Sequence, residues 1–166
     1  GRDDYIVASW HLESRVLSGM DASVLWSGGY SVASGAGDVN GDGVEDFLVG
    51  YPNYAYGANV RVVAGGSFAT LYSFLDQDMS GFGTALSRAG DINRDGFADF
   101  MVGYGSINHV YIYLGRPAPS QINRIDGDSA GDRLGHAVSG AGDVDNDGFA
   151  DVIVGAPYDD TAAGTD

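Results

Sequence analysis

The sequence predicts an all-β protein built from β-propeller blades, each a sheet of four antiparallel strands. Three observations predict it. The bases are all Arg, with no Lys, and the acids are almost all Asp. Such a chain lacks the Glu and Lys that favour helices and is rich in the Asp and Gly that favour turns. A nine-residue Asp-rich motif recurs three times, opening at Asp38, Asp91 and Asp143, 53 and 52 residues apart. Four short apolar runs fall in each repeat, and four short strands per repeat is the pattern of a propeller blade.

The strands follow from apolar and β-branched runs bounded by Gly, Pro, Asn and Asp. In the second unit they are expected at 31–36, 46–50, 59–64 and 69–75, and in the third at 84–89, 99–103, 108–114 and 121–126. The Asp loop joins the first strand of each unit to the second. Gly1-Arg2-Asp3-Asp4 and the run Tyr5–Ala8 align with the end of such a loop and its following strand. The expected organisation is therefore a partial blade over 1–28, blades over 29–80 and 81–132, and a partial blade over 133–166. About three blades are too few to close a ring, which takes roughly 4–8. The rest of a propeller, or a second copy, is needed to cover the two open faces. The broken first loop makes a piece of a longer chain the expectation.

Composition also excludes classes of function. No apolar run approaches the ~20 residues of a membrane helix, so no membrane insertion by this segment is expected. There is no Cys, which removes disulfides, thiolate nucleophiles and Cys–zinc sites. A net charge of −15 disfavours nucleic acid, which needs a basic surface. What such a chain holds well is cations.

The three motifs read Asp38-Val39-Asn40-Gly41-Asp42-Gly43-Val44-Glu45-Asp46, Asp91-Ile92-Asn93-Arg94-Asp95-Gly96-Phe97-Ala98-Asp99 and Asp143-Val144-Asp145-Asn146-Asp147-Gly148-Phe149-Ala150-Asp151. Calcium is a hard ion that takes 6–8 oxygens. Side chains at positions 1, 3 and 5 of a tight loop converge, Gly at position 6 allows the sharp turn, position 7 offers its carbonyl, and position 9 adds a carboxylate. The expected ligands are Asp38, Asn40, Asp42, the Val44 carbonyl and Asp46 in the first loop. They are Asp91, Asn93, Asp95, the Phe97 carbonyl and Asp99 in the second, and Asp143, Asp145, Asp147, the Phe149 carbonyl and Asp151 in the third. Asp, Asn and Gly also build plain turns, but three copies in register favour about three Ca²⁺ sites. An EF-hand would need Glu at position 12 and flanking helices; Val49, Val102 and Val154 stand there, in strand-like runs. Magnesium fits less well, because it keeps its waters and demands an octahedron. Each ion would pin a strand connection, so the expected role is structural.

No catalytic site is expected. No nucleophile elbow or phosphate loop occurs, and His11, His109 and His136 lack metal-binding spacing. Tyr51, Tyr54 and Tyr56 around Pro52 and Asn53 read either as a stacking platform for a ligand or as packing between blades. Arg94, at position 4 of its loop, is expected to point to solvent.

Phe82-Gly83-Thr84-Ala85, then Ala89-Gly90-Asp91, the Asp loop and Val102-Gly103-Tyr104-Gly105 resemble an FG-GAP repeat, the blade of the integrin α-subunit propeller and its bacterial relatives. The third unit is similar, with Leu134-Gly135-His136-Ala137 and then Gly155-Ala156-Pro157; the first departs, with Gly29-Tyr30 and Gly50-Tyr51-Pro52 at these places. The resemblance implies a seven-bladed ring, calcium loops between first and second strands, and an extracellular or cell-surface location. It implies a non-enzymatic adhesion or recognition module with a protein or glycan ligand. Two alternatives stay open: a non-catalytic accessory domain of a secreted polysaccharide lyase or phospholipase, and an oligomeric lectin.

Overall fold

The computed structural model describes residues 3–9, 13–52, 58–76, 81–116, 120–129 and 131–159. Among them there is no helix, and thirteen strands form four antiparallel sheets. The first sheet orders β1 (Tyr5–Ser9), β2 (Glu13–Leu17) and β3 (Val24–Gly28). The second is a meander of β4 (Val32–Gly37), β5 (Asp46–Tyr51), β6 (Ala58–Val63) and β7 (Thr70–Asp76). The third repeats it as β8 (Ala85–Gly90), β9 (Asp99–Tyr104), β10 (His109–Leu114) and β11 (Ser120–Asp126). The last pairs β12 (Ala137–Gly142) with β13 (Asp151–Gly155). Each Asp loop runs into a strand, β5, β9 or β13, where an EF-hand would need a helix. The first strands stand side by side, with β8 between β4 and β12.

The sheets stack face to face, and their strands sort side chains by alternation. On β5, Phe47 and Val49 join a core with Val16 and Trp26 of the first sheet. Leu48 points the other way, into a core shared with Phe100, Val102 and Tyr113 of the third sheet. On β9 the assignment repeats one sheet later: Met101 packs against Val138, Val152 and Val154 of the fourth. Middle strands covered on both faces must be apolar throughout, which is why Phe47–Val49 and Phe100–Val102 read as unbroken runs. Phe74 of β7 wedges between sheets against Tyr113 and Phe100, with ring centroids 4.6 and 6.0 Å away. Phe100 and Tyr113 stack at 5.2 Å. Tyr5 and Val7 on β1 and Ile153 on β13 lie exposed at the two ends of the stack.

One irregularity recurs and sets up the site. The ladders β4–β5, β8–β9 and β12–β13 each slip by one residue at Gly35/Gly37, Arg88/Gly90 and Gly140/Gly142. These bulges leave Gly37 paired with Asp46, Gly90 with Asp99 and Gly142 with Asp151. A bulge sharpens local twist and redirects the chain. Here it throws the eight residues of each loop clear of the sheet and closes them with a Gly–Asp pair.

Candidate metal centres

Each loop is wound on its own side chains. The first-position carboxylate accepts backbone N–H groups across the turn. Asp38 accepts from Gly41, Asp42 and Gly43 at 2.7, 3.1 and 2.8 Å. Asp91 accepts from Asp95 and Gly96 at 3.1 and 2.9 Å, and Asp143 from Asp147 and Gly148 at 3.0 and 2.8 Å. The third-position oxygen of Asn40, Asn93 or Asp145 accepts the fifth-position N–H at 2.9, 3.0 and 3.0 Å. The fifth-position carboxylate of Asp42, Asp95 or Asp147 accepts the N–H of Val44, Phe97 or Phe149 at 2.9, 3.1 and 2.8 Å. Gly43, Gly96 and Gly148 take φ of 84°, 88° and 88°, a backbone that a side chain would strain.

The ninth position is the deepest. Asp46 is 2% exposed and Asp99 is fully buried. Asp46 accepts the N–H groups of Val39 and Gly65, both at 2.9 Å. Asp99 accepts those of Ile92 and Gly115, both at 2.8 Å. Asp151 accepts that of Val144 at 2.8 Å. Asp4, which aligns with the ninth position, accepts the N–H of Gly19 at 2.9 Å, as Asp46 does from Gly65. This carboxylate thus staples the loop to the end of the third strand. The approach requires glycine: a Cβ on Gly65 would stand 2.2 Å from the Glu45 carbonyl, and one on Gly115 2.1 Å from that of Ala98.

Electrostatics follow burial. Burial pushes Asp46 above the usual carboxylate range, against the Gly65 and Val39 N–H groups that hold it down. Burial pushes Asp99 up to about 6, opposed by the Gly115 and Ile92 N–H groups, while the charges of Asp95 and Asp91 add to the rise. Asp95 is held below the usual range. Burial works against this, but the Asn93 amide, the Phe97 N–H and Arg116 outweigh it; the Arg116–Asp95 pair is 3.3 Å.

The donor chemistry fits a hard cation, since the side chains at positions 1, 3, 5 and 9 of every loop carry oxygen. In the third loop Asp143, Asp145 and Asp151 each place a carboxylate oxygen within 4.8 Å of the others. Ligands at 2.3–2.6 Å from one calcium lie at most about 5 Å apart. Asp147 is not in this triplet. In the first two loops Asn40 and Asn93 donate their amide N–H to Asp42 and Asp95, both at 3.0 Å.

Arg94 is exposed, as the sequence predicts, but its guanidinium also crosses to the third loop, donating to the carbonyls of Gly148 and Asp147 at 2.5 and 2.7 Å. Spacing within one loop could not reveal this, because the contact lies between blades. A second acidic triplet, Asp128, Asp132 and Asp159, also went unread. Its buried member, Asp132, accepts the Ser129 N–H at 2.9 Å and so serves the turn. His109 sits 2.6 Å from Asp126, a structural pairing. Tyr54, Tyr56, Asn53 and His11 lie outside the described residues.

Comparison with known proteins agrees with the geometry. A family model described as FG-GAP-like repeat matches residues 91–154, and one described as FG-GAP repeat matches 28–63. Over 78% of the chain, identity is 39% with integrin alpha-PS3 of Drosophila melanogaster and 36% with integrin alpha-V of Gallus gallus. The chain spans only 13% and 14% of those relatives. Among solved structures, the rhamnogalacturonan lyase YesW superposes with a TM-score of 0.60 at 16% identity, over 86% of this chain and 33% of that one. The Bacillus licheniformis rhamnogalacturonan lyase PL11 gives 0.58 at 18%, over 87% and 33%. Those likenesses are of fold. With its bulge-closed Asp loops, its four-stranded meanders and these matches, the chain belongs to the FG-GAP repeat family of integrin α-like β-propellers.

Proposed function

We propose that this chain is the calcium-binding part of a propeller in an extracellular or cell-surface adhesion or recognition protein, with calcium in a structural role. The observation that carries the reading is the threefold loop. Three times, backbone N–H groups bond to the side-chain oxygens of positions 1, 3, 5 and 9, at the same place in the blade, and in the third loop Asp143, Asp145 and Asp151 bring carboxylate oxygens within 4.8 Å of one another. Asp38, Asn40, Asp42, the Val44 carbonyl and Asp46 would hold the first ion, with their counterparts holding the second and third. The ions supply charge compensation and a fixed loop geometry. Three divalent ions would bring a net charge of −15 to −9. Exposed sites of this kind are weak, and calcium is plentiful outside cells. The integrin α relatives support a protein or glycan ligand rather than a substrate, and the likeness to lyases brings no catalytic residue with it. Further blades of a seven-bladed ring would cover Tyr5, Val7 and Ile153.

Calorimetric titration of the metal-free chain, with melts in calcium and in chelator, tests the reading. At a calcium concentration 100 times Kd each site adds about 2.7 kcal/mol. That is roughly 5–10 °C per site for a chain this size. No binding heat and an unchanged melt would dispose of it.

A further inference from the structure

Arg94 occupies the fourth position of the second loop with a φ of 60°. Its side chain touches the fifth, sixth and seventh positions of the third. Nη2 donates to the Asp147 carbonyl at 2.7 Å and Nε to the Gly148 carbonyl at 2.5 Å. The guanidinium lies over the Phe149 ring, 4.0 Å from its centroid. A Cβ on Gly148 would stand 1.4 Å from Nη2, so the fork has been given the space a side chain would fill. The same place between the first and second loops is apolar: Gly41 faces Phe97, and a Cβ there would meet that ring at 2.6 Å. Those two loops are joined instead by the Ala98 N–H on the Asp38 carbonyl, at 2.8 Å. The loop that receives the guanidinium is the one with a fourth carboxylate, Asp145, where the others carry Asn40 and Asn93.

We propose that Arg94 couples the second and third loops, so that an ion in either raises the affinity of the other. It rests on the reading that these loops hold calcium. Arg94 is a positioning residue here, not a ligand. An ion in the second loop would fix Asn93 and Asp95, the neighbours of Arg94, and so fix the base of its side chain. The held fork then sets the peptides of Asp147 and Gly148, which lead to the Phe149 carbonyl, the seventh-position donor. By linkage the effect is reciprocal. The positive charge alone acts the other way, repelling an incoming cation. Solvent and salt screen that term at an exposed site, whereas two fixed hydrogen bonds from a planar fork are specific to arginine.

The test is calcium titration of the full 166-residue chain by calorimetry, read as a cycle. Asp143→Asn with Asp147→Asn identifies the binding step of the third loop. Asp91→Asn with Asp95→Asn disables the second. Disabling the second loop is expected to weaken the third about tenfold when Arg94 is present and less than about twofold in Arg94→Ala. Arg94→Lys keeps the charge but loses the fork, and is expected to behave as Ala does. Amide hydrogen exchange of the calcium-free chain gives a readout that needs no metal. Gly148 and Phe149 should exchange faster in Arg94→Ala and Arg94→Lys, while Gly43 and Val44 should not change. Third-loop affinity indifferent to Arg94, effects that simply multiply, or a lysine variant equal to wild type would each overturn the coupling and leave the calcium reading standing. A wild-type chain that takes up no calcium would overturn both.

Discussion

Replacing Gly115 by Ala tests how the ninth-position carboxylate joins loop to sheet. The added methyl would stand 2.1 Å from the Ala98 carbonyl oxygen and 2.9 Å from that of Val39, both backbone atoms that cannot swing aside. The end of β10 must retreat, and the Gly115 N–H leaves the Asp99 oxygen it now meets at 2.8 Å. Overpacking of this kind costs about 1–3 kcal/mol. A buried carboxylate oxygen short of its donor adds about 1–3 kcal/mol. A combined loss near 3 kcal/mol lowers the melting temperature by roughly 6–12 °C. The assay is thermal unfolding followed by circular dichroism, in calcium and in chelator. Gly35→Ala supplies the control, because a Cβ there meets nothing within 4 Å; it should stay within about 0.5 kcal/mol of wild type. If Gly115→Ala melts within about 2 °C of wild type, the carboxylate staple is not holding the loop.

Phe100→Ala removes a fully buried ring stacked on Tyr113 and touching Phe74; a loss of about 3–5 kcal/mol is expected in denaturant titration. Arg116→Ala, by contrast, breaks a half-exposed pair with Asp95 and should shift stability by under about 1 kcal/mol, measured the same way. Asp145→Asn makes the third loop carry the donor set of the other two, and calorimetry should show weaker calcium binding at that loop, with a smaller loss at the second through Arg94 and none at the first.

Much of the fold was legible because both faces of the middle strands are covered. The runs Phe47–Val49 and Phe100–Val102 had to be strands too apolar for a surface, and the expected spans 69–75 and 121–126 differ by one residue from Thr70–Asp76 and Ser120–Asp126. The loops were legible because their hydrogen bonds are local, between residues two to seven apart. What spacing could not give is whatever crosses from one strand end or one blade to another. Gly65 and Gly115 look like ordinary turn glycines until Asp46 and Asp99, 19 and 16 residues away, are found on their N–H groups. Arg94 looks like a solvated charge until the third loop, 53 and 54 residues on, is set beside it.

Fold and candidate ion site meet at the ninth position, and the physics there runs in two directions. Sheet pairing demands that Asp46 and Asp99 be buried, and burial disfavours their charge, which is why both are pushed upward. Two N–H groups on each carboxylate offset only part of that penalty. A neutral residue would remove it, yet even asparagine would keep only one of the two oxygens that Val39 and Gly65, or Ile92 and Gly115, now share. A carboxylate oxygen has room for more than one partner, so a divalent ion can take what the N–H groups leave and stabilise the charge that burial penalises. On the proposed reading that these loops hold calcium, the blade carries a locally unfavourable group that the ion would stabilise. Binding at the loop and pairing of the sheet would then be one equilibrium, and removing the ion should loosen the strand junction before it loosens the core.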